Sequence, residues 1–195
     1  MLKSYKNIWS LNTEEAIVAG ILRAETKKDV EIYIPLNAQM KDVDLILINT
    51  KNTKTKTIQV KGSRAYEGNR KQIQNYGYGS YSWIDIKKSV IDNSKVDYYI
   101  FLIYTLEQFN DKQKGKVYMK HHTITIKAED FRKKVRKYKM VGKGGICRFQ
   151  IWINPKTNKA FDFQNLKDKT KKEDYSEFLD KKGLKRLNVD LSKLI

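Results

Sequence analysis

Cysteine and histidine are nearly absent from this 195-residue chain: there is one Cys and there are two His. The lone Cys147 excludes an internal disulfide and any zinc site built on cysteine clusters, and it suits a reducing compartment. His121 and His122 are sequence neighbours, so on a strand they point to opposite faces and cannot chelate one ion together. Only two prolines occur, Pro35 and Pro155, and no Pro-, Gly- or Ser-rich linker or internal repeat breaks the chain. No apolar run approaches about 18 residues, and "MLKSYKNIWSLNTEEAIVAG" lacks an apolar core followed by a small-residue cleavage pattern. These absences lead to the expectation of a soluble, cytoplasmic protein. "VGKGGI" has the wrong spacing for a triphosphate-binding loop, and its glycines suit a turn.

Acidic residues are also scarce. Forty Lys and Arg stand against 22 Asp and Glu, a formal charge of +18. A polyanionic partner explains such an excess, with nucleic acid ahead of a membrane surface because no strongly amphipathic anchor is present. Residues 51–71 hold seven basic residues against Glu67, and residues 127–143 hold eight against two acids. Tyr66, Tyr76, Tyr78 and Tyr81 interleave the first group and Tyr138 the second. Cations for phosphates beside aromatics for stacking make a nucleic-acid surface. The basic stretch "FRKKVRKYK" fits a contact helix or a merely solvated face.

What remains is a core-forming chain with 40% hydrophobic residues, enough for one domain over 1–195. "EEAIVAGILRAE" places Ile17, Val18, Ile21 and Leu22 on one helical stripe, with Thr13 as a possible cap. "VEIYIPL", "VDLILIN" and "TIQVKGS" read as strands, the second apolar enough for burial on both faces. Residues 66–82, rich in Gly and Tyr, predict a loop. "SWIDIKKSVIDN" fits a short strand over Trp83–Ile86 and a helical turn after it. "VDYYIFLIY" and "KVYMKHHTITI" are further strands, and "AEDFRKKVRKYKM" is a basic helix. From about residue 145, "CRFQIWINPKTNKAFDF" predicts a hairpin turning at Asn154–Asn158. A charged C-terminal helix follows, with Tyr175, Phe178 and Leu179 on its apolar side and Gly183 as its cap. Trp9, Trp83 and Trp152 are most simply packing residues, and Cys147 a buried small one.

"TIQVKGS" raises the functional question. Alternation sets Ile58 and Val60 on one face and Gln59 and Lys61 on the other, and a buried ammonium needs an anion opposite it. In "KDVDLILIN", Asp42 and Asp44 share a face, and Asp44 stands where the apolar run begins. Glu15 lies in the first turns of the preceding helix. An acid, an amide oxygen and a lysine on a sheet edge fit a hard divalent cation with oxygen ligands. They also fit phosphodiester hydrolysis, in which a metal activates water and a lysine meets growing negative charge. A solvated sheet edge would carry the same residue types.

The order of helix glutamate, apolar strand and "IQVKGS" resembles the PD-(D/E)xK nuclease superfamily. The likeness is to a glutamine-containing QxK variant in an uncharacterised bacterial branch of it. It covers the first third of the chain, and "VDYYIFLIY" and "FQIWINPKTNKAFDFQN" are similar to downstream elements. The resemblance implies a restriction endonuclease-like α/β fold with a mixed central β-sheet flanked by α-helices. It implies a Mg²⁺- or Mn²⁺-dependent endonuclease acting on DNA, in restriction, defence or repair. By the same likeness Asp44, Gln59 and the carbonyl of Val60 are metal ligands, Lys61 is the motif lysine and Glu15 the first-helix glutamate. Arg64, Arg70, Lys71, Tyr76 and Tyr78 are the expected nucleic-acid contacts. Val43 stands where the family proline would be, and the amide of Gln59 leaves the site one charge short. Asp42 competes with Asp44. An inactive nucleic-acid-binding module of the same fold, or an RNA-directed protein, fits the charge as well, and double-strand cutting would call for a homodimer.

Overall fold

The computed structural model describes residues 13–35, 42–107, 118–142, 144–163, 166–168 and 171–193. Trp9 and the segment preceding Thr13 lie outside these. Helix α1 (Thr13–Glu25) opens with Glu14 and Glu15, whose charges suit a helix N-terminus, and closes with Arg23 in its last turn. Val18 and Leu22, four apart, are fully buried, and Ile17 and Ile21 pack beside them. Strand β2 (Leu45–Asn49) lies antiparallel between β1 (Val30–Tyr33) and β3 (Thr55–Ser63). Strand β6 (Tyr98–Glu107) lies parallel to β3, and β7 (Tyr118–Lys127) antiparallel to β6. The result is a mixed five-stranded sheet in the order β1-β2-β3-β6-β7. Strand β2 is not buried on both faces: Leu45 and Leu47 are covered while Ile46 and Ile48 are half-exposed.

Residues 66–82 are not a loop. They belong to β4 (Ala65–Glu67), α2 (Arg70–Tyr76) and the start of β5 (Ser80–Lys87). Helix α2 forms because Asn69 and Gln72 cap each other's backbone N–H groups, both at 2.9 Å. Tyr66 and Tyr81 sit on a sheet face rather than in turns, with Tyr66 stacked on Tyr81 and Tyr81 on Trp152. Gly79 is obligatory, since a Cβ there would lie 2.1 Å from the carbonyl oxygen of Ile153.

Helix α3 (Lys88–Asn93) follows β5, so the strand and helical turn foreseen in "SWIDIKKSVIDN" both form. Helix α4 (Ala128–Val135), β8 (Met140–Val141), β9 (Ile146–Asn154), β10 (Lys159–Asp162), β11 (Glu173–Asp174) and α5 (Asp180–Ser192) complete the chain. The expected β9–β10 hairpin forms, and Asn154 Oδ1 accepts the N–H groups of Lys156 and Thr157 in its turn. The second sheet runs β11-β10-β9-β5-β4, with β8 on β9, and is antiparallel throughout.

The first sheet has two different covers. On one face α1 and α5 bring Val18, Leu22, Leu184 and Leu187 onto Leu45, Leu47 and Ile58. On the other, Tyr99 and Phe101 meet Phe149 and Ile151 of the second sheet, with Phe131 of α4 between them. Each fully buried Leu, Ile or Phe contributes about 1.5–3 kcal/mol. The fold is therefore mixed α/β, but the two long helices cover one face and a second sheet covers the other. Gly183 does not cap α5. It lies in the first turn, where a Cβ would come within 2.2 Å of the Phe178 carbonyl oxygen and 2.9 Å of that of Thr125. Tyr175 and Phe178 precede the helix rather than line it.

Candidate active site

The β2–β3 register pairs Leu45 with Ile58, which sets Asp44 beside Gln59. The N–H of Asp44 donates to the Ile58 carbonyl at 2.8 Å, and its carboxylate Oδ2 accepts the Val60 N–H at 2.7 Å. The acid is thus locked onto the backbone of the strand that carries the QxK sequence. Ile58 and Val60 enter the core under α1 and α5. Gln59 and Lys61 take the opposite face, next to Tyr99 and Phe101 of β6 in register. Gln59 is 3% exposed, and its Oε1 has no hydrogen-bond partner among the described residues. Lys61 is half-buried.

Burial pushes the Asp44 carboxyl above the usual carboxylate range. The Val60 N–H and the Lys61 ammonium pull it down without cancelling the rise, and Asp42 adds to it. Asp42 is close enough to be felt and has a left-handed backbone (φ 78°). Of the two acids, Asp44 is the one tied to Val60.

Glu14 and Glu15 flank the Val18–Leu22 stripe, and Glu14 reaches β3 at Gly62. A Cβ on Gly62 would lie 2.2 Å from Glu14 Cγ, so the glycine makes room for this side chain. Glu14 sits on the helix-covered face, across the strand from Lys61. Burial, and secondarily the charge of Glu14, push the Tyr104 phenol up. Glu15 is half-buried beside it. The signal for Glu14 was the glycine of "VKGS", whose missing side chain is space for a neighbour.

Arg64 lies exposed just beyond β3, and Arg70 and Lys71 are exposed at the start of α2. Tyr76 packs against Trp152 at 5.6 Å, Phe161 at 5.5 Å and Phe163 at 5.0 Å, with Lys172 over its ring. Tyr78 lies under Lys156 Nζ at 4.8 Å. Four cations of the basic helix α4 and its tail have partners within the chain. Lys133 pairs with Glu129, Lys134 and Lys137 with Glu173, and Arg132 donates to the Ser94 carbonyl. Tyr138 is buried, its hydroxyl 3.1 Å from that of Tyr175. Sequence reasoning passed over Trp83 and Arg148 as surface groups, although Trp83 is 37% exposed with the Arg148 guanidinium 4.5 Å from its ring.

Among the described residues no three His, Cys, Asp or Glu side chains gather as a metal group. His122 is buried and bonded through Nδ1 to Asp180 at 2.7 Å, and Asp180 also accepts the Thr123 N–H at 2.8 Å. No helix among the described residues is long and apolar enough to cross a membrane. Compared with protein-family models, with curated proteins and with solved structures, the chain matches none of them.

Proposed function

We propose that the protein is a metal-dependent endonuclease of the PD-(D/E)xK type, with a restriction endonuclease-like fold, that hydrolyses phosphodiester bonds of DNA. The observation that carries this reading is the Gln59 side-chain oxygen, buried without a partner among the described residues beside a desolvated carboxylate. A buried polar atom left unpaired costs about 1–3 kcal/mol, and a cation between Gln59 and Asp44 would offset that cost at both groups. The donor set, carboxylate and amide oxygen with the Val60 carbonyl within reach on the same strand, fits a hard ion. Bound there, Mg²⁺ or Mn²⁺ would supply Lewis-acid polarisation of a phosphate and a more acidic water.

The chain's own residues do the positioning. The Val60 N–H fixes one oxygen of Asp44, so the carboxylate is oriented before any ligand arrives. The Lys61 ammonium, held on a rigid strand two residues from Gln59, offers positive charge where a phosphate gains negative charge in the transition state. Arg64, Arg70 and Lys71 follow Lys61 in the chain, are exposed, and offer further cations for the DNA backbone. The order α1, then antiparallel β1, β2 and β3, then parallel β6 supports the family reading.

Nicking of supercoiled plasmid tests it. Wild type should cut with Mg²⁺ or Mn²⁺ and stop with EDTA. Asp44→Ala and Lys61→Ala should each lose at least about a hundredfold in rate with an unchanged circular-dichroism spectrum. Equal cutting by both variants sinks the assignment. DNA binding without any nicking marks the inactive binding module, and linear product from single encounters marks a dimer.

A further inference from the structure

The strand that carries Lys61 does not end at the first sheet. It stays paired with β6 as far as Ser63, bends at Arg64, and becomes β4, the edge strand of the second sheet. The Ser63 hydroxyl stitches the bend by accepting the Trp83 N–H at 3.0 Å and donating to the Trp83 carbonyl. Arg64 and Tyr66 therefore stand on the outer face of the second sheet. Tyr66 pairs in register with Tyr81, and Trp83 is its diagonal neighbour on β5, at a spacing of about 7–8 Å.

Tyr66 is 39% and Trp83 37% exposed, yet neither ring hangs loose. Tyr66 stacks on Tyr81 at 5.4 Å and 20°, and Tyr81 lies 6.4 Å from the buried Trp152. Asp85 Oδ1 accepts the Trp83 indole N–H at 3.0 Å, and the Asp85 carboxylate takes two hydrogen bonds from Arg148, also at 3.0 Å. That arrangement presses the guanidinium onto the indole. On this face of β4, β5 and β9, Arg64, Lys87 and Arg148 stand against a single acid, Asp85. The Arg64 guanidinium has no partner among the described residues.

We propose that this face is a platform for single-stranded DNA, on which unpaired bases stack against Trp83 and Tyr66 while Arg64 and Lys87 meet the phosphates. Rigid exposed aromatics flanked by cations reward bases whose faces are open, which a duplex does not offer. The platform begins about five residues, roughly 16 Å of extended chain, beyond Lys61. It names the form of DNA taken by the proposed nuclease and rests on that reading for the choice of DNA.

The test is anisotropy of fluorescein-labelled dT15, and of a duplex of equal length, with the full chain in EDTA. Trp83→Ala should weaken dT15 binding roughly tenfold and leave duplex binding within about twofold, and Tyr66→Ala should follow the same pattern. Trp83→Phe keeps a stacking ring and should stay close to wild type. Addition of unlabelled dT15 should quench tryptophan emission in wild type and less in Trp83→Phe. Unchanged dT15 binding by Trp83→Ala, an equal loss on duplex, or tighter binding of rU15 than of dT15 overturns the proposal. A protein that binds dT15 through Trp83 but never nicks refutes the nuclease reading alone. One that nicks while ignoring Trp83 in dT15 binding refutes the platform alone.

Discussion

Glu173 and Asp44 are both carboxylates drawn into the protein next to lysine, and burial pushes both upward. At Glu173 the rise is overturned. Lys137 Nζ lies 2.8 Å from Oε2 and Lys134 holds Oε1, so the carboxyl sits below its usual range. At Asp44 one backbone N–H and one half-buried lysine leave the carboxyl above its usual range, with an amide oxygen alongside that has no partner among the described residues. The same chain can satisfy a buried anion completely, and at β11 it does. Under the proposed function the deficit at β2–β3 is room for a partner that arrives from outside, as polar groups at functional sites are left unsettled at a cost in stability.

The contrast can be broken by stability measurements. Glu173→Gln leaves the ammonium of Lys134 enclosed without its anion and should cost about 3 kcal/mol, a fall of roughly 6–12 °C in melting temperature for a domain of this size. The contribution of Glu173 is present above the unfolded carboxyl pKa near ~4.3 and lost as pH falls through its lower folded value. A melting temperature unchanged by the substitution would place Glu173 with the many surface ion pairs of no consequence.

Asp44→Asn should act with the opposite sign. A folded-state pKa above the unfolded one means that ionisation of Asp44 opposes folding once pH rises through the folded value, whereas below the unfolded value, about 3.9, the penalty is absent. The variant keeps an oxygen for the Val60 N–H, so it should melt a few degrees above wild type at pH 7–8 and equal it near pH 3.5. Added Mg²⁺ should raise the wild-type melting temperature and close the gap, because a ligand of the folded state stabilises by mass action. A variant less stable than wild type at every pH would mean that Asp44 serves the fold.

The smallest effect sharpens the contrast at Gln59. Gln59→Glu restores the second carboxylate, and calorimetry should show Mg²⁺ binding tightened several-fold. Equal affinities, with Asp44→Ala also unchanged, would leave Gln59 facing no metal and favour a binding module over an enzyme.

The first half of the fold was legible because its signals are local. The α1 stripe, the alternation of "TIQVKGS" and the position of Asp44 at the head of an apolar run all lie within a few residues. The second sheet was half hidden for the opposite reason. Tyr66 and Tyr81 become sheet-face residues only against Trp152, some seventy residues on, and without that partner their segment has the composition of a loop. The partner of Lys134 and Lys137 was hidden in the same way, since Glu173 lies nearly forty residues away. Glu14 went unnoticed for a finer reason: its approach to β3 shows only in the gap left by Gly62.

The bend at Arg64, between β3 and β4, also imposes a reading frame on the molecule. Side chains alternate along a strand, so the interval from Lys61 to Arg64 and Tyr66 fixes which groups look between the sheets and which look out. One residue gained or lost there would turn either the lysine or the aromatic edge to the wrong side, whereas two would preserve both faces and change only their distance. Length variation at this bend is therefore restricted in parity, and the clamp of Ser63 on both backbone groups of Trp83 keeps count.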